Sequence, residues 1–357
     1  MKMIVLWTDA LVYLLVIGLV VWIYFFRKTQ EWRLILAQLK KRPYYLVALL
    51  ILMVYGIIGI LDSIHFKTAS NEFAVRSVLD LLLSPYDHVS EVTYSAPFAT
   101  HSAEPQVLKT EDGHFAEVYP KLKYFHFLGT DKIGRDVFYL AIKSIRTGLV
   151  IGTVTTLVML PFALLFGMWA GYFRGWVDDI IQYIYTTLSS VPGILLIAGA
   201  MLSLQPKIEA DPDIRLLILC VILGVTSWTT LCRLLRGETL KLRSADFVQS
   251  AIALGVTPLK IIRRHIMPNL MHIVIITVAL DFSALVLAEA ILSYVGVGVD
   301  PTAFSWGNMI NAARLDMARE PLVWWSLSGA LFFMFILVFS ANIFSDALQK
   351  AFNPKEN

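Results

Sequence analysis

Residues 246–268 read DFVQSAIALGVTPLKIIRRHIMP and lie between two long apolar stretches, 214–232 and 270–295. A bilayer core about 30 Å thick takes roughly 20 apolar residues as helix, so both neighbours are long enough to cross it. The stretch between them carries its own helix punctuation. Ser244 is placed to cap a first helix, with Asp246 favourable in the first turn. Gly255 supplies the left-handed residue that ends it, Thr257 and Pro258 open a second helix, and Pro268 closes that one. Lys260, Arg263 and Arg264 make the hairpin basic. A structured insert of this kind at a membrane surface is expected to dock a partner. The alternative is a solvated cytoplasmic hairpin held near anionic lipid by its bases.

The rest of the chain supports a membrane reading. Of 357 residues, 57% are apolar and only 16% charged, against about 25% charged in soluble domains. Apolar segments fall at 4–26, 44–61, 148–173, 180–204, 214–232, 270–295 and 322–345. Backbone in lipid must satisfy its own hydrogen bonds, and the alternation of a membrane barrel is missing. The expected class is therefore an all-α integral membrane protein with about seven transmembrane helices.

Lys and Arg accumulate on the cytoplasmic side. Arg27, Lys28, Arg33, Lys40, Lys41 and Arg42 follow the first segment, which lacks the basic leader and cleavage site of a signal peptide. The N-terminus is thus expected outside. Loop 233–269 and the C-terminus are then inside, and the acidic loop 205–213 is outside. Lys143 and Arg146 fall at an outer boundary against the rule, which points to a helix lying on the outer surface. Within 30–42, Trp32, Ile35, Leu36 and Leu39 share a face, as in an amphipathic helix along the inner surface. Region 62–136 holds eleven acids and seven bases and is broken at Pro85, Pro97, Pro105 and Pro120, so it is expected to be irregular with short elements.

Catalytic signatures are missing. There is no phosphate loop, no H-E-x-x-H and no G-x-S-x-G. The seven histidines are scattered, and no metal site is expected. Cys220 and Cys232 are about 18 Å apart along one helix, too far to bridge. Gly296 and Gly298 read as a turn. Trp324 and Trp325 read as an interfacial belt. Two charges sit inside an apolar span, Asp281 and Glu289, about 80° apart around the helix. They are expected to line a pathway or to fix helix packing through polar bonds.

Several motifs resemble one family. Gln249-Ser250-Ala251, then Gly255, Ile266 and Met267-Pro268, resembles the E-A-A-x-x-x-G…I…L-P loop of ATP-binding-cassette importer permeases. Arg264-His265-Ile266-Met267-Pro268-Asn269 is similar to the R-H-I-L-P-N of the dipeptide and oligopeptide branch. Leu128-Gly129-Thr130-Asp131 with Gly134-Arg135-Asp136-Val137 resembles that branch's L-G-T-D-x-x-G-R-D-V. Ala288-Glu289-Ala290 with Leu292-Ser293-Tyr294-Val295-Gly296-Val297-Gly298, and Ser305-Trp306-Gly307-Asn308-Met309, resemble A-E-A-x-L-S-F-L-G-L-G and S-W-G-N-M. The match is to the C-type permease subunit and spans about residues 31–353.

The resemblance implies a six-helix MetI-like permease plus one extra N-terminal helix. It gives an extra helix in 1–30, then an amphipathic helix, a span and an extracytoplasmic segment in 31–147. A core permease domain follows in 148–353, with the cytoplasmic loop at 233–269. The implied partners are a second permease subunit, two cytoplasmic ATPase subunits that hold ATP and Mg, an extracytoplasmic solute-binding protein and membrane lipid. No cofactor in this chain and no nucleic acid are implied. The setting implied is a bacterial plasma membrane, crossed several times.

ATPase coupling would fall to Gln249, Ser250, Ala251, Gly255, Thr257, Pro258, Lys260, Arg263 and Arg264. An extracytoplasmic motif would comprise Gly129, Thr130, Asp131, Gly134, Arg135 and Asp136, a turn ahead of a surface helix at 136–147. Two departures stand out: Gln249 and Ser250 replace the pattern's Glu and Ala, and the first 26 residues are additional. The extra helix is expected at the periphery, as an anchor or as a contact for another subunit. The competing function is an ion-coupled secondary transporter using Asp281 and Glu289. An intramembrane hydrolase using Ser283 or Ser293 lacks a positioned histidine.

Overall fold

A computed structural model describes residues 2–4, 6–27, 30–67, 75–84, 91, 93–109, 115–204 and 211–352. Lys28, Pro85, residues 205–210 of the acidic loop and 353–357 of the C-terminus lie outside the described residues. Among the described residues, five helical runs are long and apolar enough to cross a membrane: α3 (Pro43–Asp62), α5 (Val137–Phe173), α8 (Pro212–Arg243), the run Pro258–Tyr294, and α13 (Trp325–Phe352). A sixth span is a bent pair, α6 (Gly175–Ser190) and α7 (Gly193–Leu204), meeting at 85°. The continuous segment expected at 180–204 is broken because Val191, just before Pro192, is held extended at φ −96°, ψ 134°. The first helix, α1 (Trp7–Phe26), is apolar, and α2 (Gln30–Lys41) follows it.

The chain forms two compact units. One comprises Met1–Val16, Leu50–Val150 and Glu289–Phe339. It contains a three-stranded antiparallel sheet of β1 (Lys2–Ile4), β2 (His65–Lys67) and β3 (Val75–Ser77), the short helix α4 (Val78–Leu82), and a hairpin of β4 (Gln106–Lys109) and β5 (Phe115–Val118). All of these but β1 are the short elements expected in 62–136.

The extra N-terminal segment is stitched into this unit rather than merely appended to it. β1 pairs with β2 in the register Ile4 to His65. Asp9 is fully buried and receives His65 Nδ1 at 2.8 Å, Arg146 at 2.6 Å and the Leu6 amide at 3.1 Å. The Tyr13 hydroxyl donates to the Ser63 carbonyl at 2.6 Å.

The two misplaced bases are explained here. Lys143 lies 2.7 Å from both Asp62 and Asp80, and Arg146 is bound to Asp9. Each is neutralised inside the fold, so the charge rule, which concerns exposed loops, does not act on them. No separate surface helix exists at 136–147. Those residues are the first turns of α5, which runs unbroken past the boundary expected at 147/148.

The Gly129–Asp136 turn is a closed knot. Gly129 and Gly134 have φ +72° and +81°, and a β-carbon on them would collide with the backbone of Ser95 and of Glu91. Asp131 accepts from the Arg135 amide and side chain, both at 2.9 Å. Thr130 donates to the Thr93 carbonyl, and its own carbonyl accepts from the Trp325 indole at 2.8 Å. Trp325 is therefore buried in this unit, not part of an interfacial belt, while Trp324 is exposed.

Asp136 caps α5 through the Tyr139 amide and holds His126 Nδ1 at 2.8 Å. Glu91 lies 3.5 Å from the other ring nitrogen, too long for a good hydrogen bond but close for charge. Burial pushes the His126 ring down, yet the bond to Asp136, its charge and that of Glu91 outweigh it and raise the pKa above 6.5. A raised folded pKa gives stability that is complete below the unfolded value and lost as pH rises through the folded one. Thermal stability should therefore decline on going from about pH 6 to pH 9, and His126→Gln should flatten that slope. Parallel slopes in melting scans of the two proteins would refute the assignment.

The second unit comprises Ile17–Leu49, Ile151–Ala288 and Ser340–Asn357. Here α2 buries Ile35 and Leu39 against Tyr45, Ala347, Leu348 and Ala351. Leu36 was expected on that face but is exposed. Both cysteines are buried, and neither is in a disulfide. Asp178 and Arg236 form a two-point pair at 2.5 and 2.7 Å, which joins α6 to α8.

Candidate functional site

The insert between α8 and the following span is built as two short helices on a buried apolar floor. α9 (Asp246–Ala253) begins at Ala245 without a side-chain cap. Ser244 instead ends α8, its hydroxyl donating to the Lys241 carbonyl at 2.8 Å. α9 ends in a Schellman turn: the Gly255 amide donates to Ile252 at 2.9 Å and the Val256 amide to Ala251 at 3.1 Å. Gly255 has φ +75°, and a β-carbon there would meet nothing within 4 Å. Glycine is required by the backbone, not by space.

Thr257 occupies the N-cap position of α10 (Pro258–Ile261), and Pro258 its first turn, but the Thr257 side chain makes no capping bond. The helix does not stop at Pro268. It continues through a π-turn at Ile262–Ile266 into α11 (Met267–Tyr294). A proline in a helix lacks an amide and crowds the carbonyl four residues back. The wider turn just before it, closed by the Met267 amide on Ile262, takes up that crowding.

The floor is Val248, Ala251, Ile261, Ile262 and Ile266, packed into one cluster with Trp228, Leu231 and Leu235. The opposite side is bare. Leu254 is 83% exposed, Leu259 65% and Phe247 45%. Lys260, Arg263 and Arg264 are exposed beside them and make no ion pair among the described residues. Ser250 is exposed, and the Gln249 side chain donates to the Arg243 carbonyl at 2.7 Å. That bond ties α9 to the end of α8, and a glutamate could not donate it. The surface so formed is apolar at its tip, basic at its edge and rigidly backed. Its chemical complement is a groove with apolar walls and acidic rims.

The structure separates the two charges inside the span. Asp281 faces a cavity of about 350 Å³ lined by Met159, Leu196, Thr226, Thr229 and Thr230 among others. Glu289 is enclosed at 2% exposure and accepts from Ser293 at 2.7 Å and Ser305 at 2.6 Å. Ser305 also caps α12 (Trp306–Asp316) through the Gly307 and Asn308 amides. Glu289 thus ties the end of α11 to the start of α12, while Asp281 makes no such bond among the described residues. Gly296, at φ +86°, ends α11 in a second Schellman turn.

Residues 163–357 match the family described as binding-protein-dependent transport system inner membrane component, more than half of the chain. The dipeptide transport system permease protein DppC of Bacillus subtilis (strain 168) is 30% identical over 230 residues, covering 64% of this chain and 69% of that protein. The glutathione transport system permease protein GsiD of Pectobacterium atrosepticum is 33% identical over 230 residues, 64% and 73% of the two chains. The oligopeptide transport system permease protein OppC of Haemophilus influenzae is 28% identical over 252 residues, 71% and 78%. With a multi-helix membrane fold and a match of this extent, the chain belongs to the binding-protein-dependent transport system inner membrane components.

Proposed function

We propose that this chain is one permease subunit of an ATP-binding-cassette importer for peptides, and that its loop between α8 and α11 is the coupling element. One observation carries the loop assignment: an apolar tip at Leu254, held by the Gly255 turn over a buried floor, in a loop that also exposes three bases. A purely solvated hairpin gains nothing from holding three large apolar side chains, Phe247, Leu254 and Leu259, out in water. The chain has no phosphate loop, so ATP and Mg belong to two partner ATPases. A second permease subunit completes the pathway, and a solute-binding protein delivers cargo on the side of the β1–β3 sheet. The N-terminus then lies outside and the C-terminus in the cytoplasm. Peptide cargo rests on relatives named for dipeptides, oligopeptides and glutathione.

The ion-coupled alternative has no support from the family match, and Glu289 is engaged by two serines. The test is reconstitution of this chain with a paired permease, ATPases and a binding protein in proteoliposomes. ATP-dependent uptake of labelled tri-alanine, absent when the ATPases are omitted, is expected. Uptake by this chain alone, driven by an ion gradient, would overturn the proposal.

A further inference from the structure

Asp281 is the one acid lining the cavity in the second unit, and its carboxylate makes no hydrogen bond or ion pair among the described residues. Among the described residues, no Lys, Arg or His lines the cavity either. Hydroxyls do: Thr226, Ser227, Thr229 and Thr230 along α8, and Ser189 at the end of α6, which donates to Thr229 at 3.5 Å. The remaining walls are apolar, with Met159, Leu223 and Leu285 among them. At about 350 Å³ the space falls within the ~300–1,000 Å³ of small-ligand sites. A charge inside a span is retained when it faces a pathway or a partner. This one faces a cavity and lacks a partner among the described residues.

We propose that this cavity is a cargo subsite in which Asp281 takes the free ammonium group of a peptide, while the hydroxyl row of α8 meets peptide amides and carbonyls. The inference rests on the importer function proposed above and names the part of the cargo that this chain reads. A cation held by a carboxylate in a poorly hydrated site makes the strong, charge-assisted kind of hydrogen bond. Glu289 cannot do this work, because its carboxylate is already enclosed by Ser293 and Ser305. The hydroxyls offer orientation without charge and suit a ligand whose backbone repeats and whose side chains vary.

The complete complex in lipid nanodiscs, without the binding protein, is titrated with tri-alanine and with N-acetyl-tri-alanine. Acetylation removes the positive charge and leaves the rest of the ligand unchanged. Wild type is expected to bind tri-alanine at least about 10-fold more tightly, a difference of roughly 1.4 kcal/mol. Asp281→Asn should bind the two alike, and Asp281→Glu should keep the preference, which guards against a variant that fails only by misfolding. Equal binding by wild type, no measurable binding of either peptide, or a preference unchanged in Asp281→Asn would each overturn the subsite. A complex that shows ATP-driven uptake of tri-alanine while Asp281→Asn keeps the wild-type preference would sink this inference alone. A wild-type complex with no ATP-driven uptake would sink the importer function itself.

Discussion

Leu254→Asp and Gly255→Asp should each cut ATP-dependent uptake by about 30-fold or more, while both proteins still insert and purify. The size follows from the surface. Leu254 is 83% exposed, so its replacement should leave this subunit's own stability nearly unchanged. If it is the apolar knob of an interface, truncation costs what a central anchor costs, about 2 kcal/mol or more, or about 30-fold in docking. Gly255→Asp acts differently. It places a β-carbon at φ +75°, which costs roughly 1–2 kcal/mol of local strain. It also adds an acid to a loop whose other exposed charges include Lys260, Arg263 and Arg264. Nothing lies within 4 Å of the new β-carbon, so the floor beneath should stay packed. The measurements are uptake in proteoliposomes and retention of the ATPases on the purified complex. Wild-type values for both variants would show that the loop is a solvated hairpin.

That surface was partly legible in the sequence. The Gly255 turn and the Pro258 start are backbone requirements, and such requirements are written in single residues. Which side of the hairpin is buried was not legible, because both sides are apolar: Val248, Ala251 and Ile261 point inward and Phe247, Leu254 and Leu259 outward. Ser244 misled because serine suits both ends of a helix–helix junction, and here its hydroxyl ends α8. Pro268 misled because a proline normally stops a helix, and the π-turn that relieves it leaves no mark in composition. Inside the membrane the spans were legible from apolar length, but the break in 180–204 went unread, because apolar length does not register that Pro192 holds Val191 extended. The fates of Asp281 and Glu289 were not. Their separation depends on Ser305, sixteen residues beyond Glu289, returning to bind it. The stitching of the first residues was also hidden, since pairing Ile4 with His65 is a long-range event that no local pattern encodes.

Lys143→Met should be the most destabilising change among these charged networks, lowering stability by about 3–5 kcal/mol and the melting temperature by on the order of 10 °C. Lys143 is buried, 2.7 Å from Asp62 and 2.7 Å from Asp80, with the Phe304 ring centre 5.3 Å away. Ser77 and Tyr139 complete the network by donating to Asp62 at 2.7 Å and to Asp80 at 2.9 Å. Methionine fills the space but leaves two buried carboxylates facing one another. The pH response separates this from a simple packing defect. In the wild type, burial pushes the Asp80 carboxyl up, but the Lys143 charge and hydrogen bonds outweigh it and hold the pKa below 3.8. A depressed folded pKa gives stability present above the unfolded value and lost as pH falls through the folded one. Without Lys143, burial and the neighbouring Asp62 dominate, and the sign reverses, so protonation favours the folded variant. The gap between the two melting temperatures should therefore narrow as pH falls from about 7 toward 5. The double change Lys143→Met with Asp80→Asn should recover part of the loss, because one unpaired charge is removed. A pH-independent gap, or a double variant no more stable than Lys143→Met, would mean that Lys143 acts through packing and not through its charge.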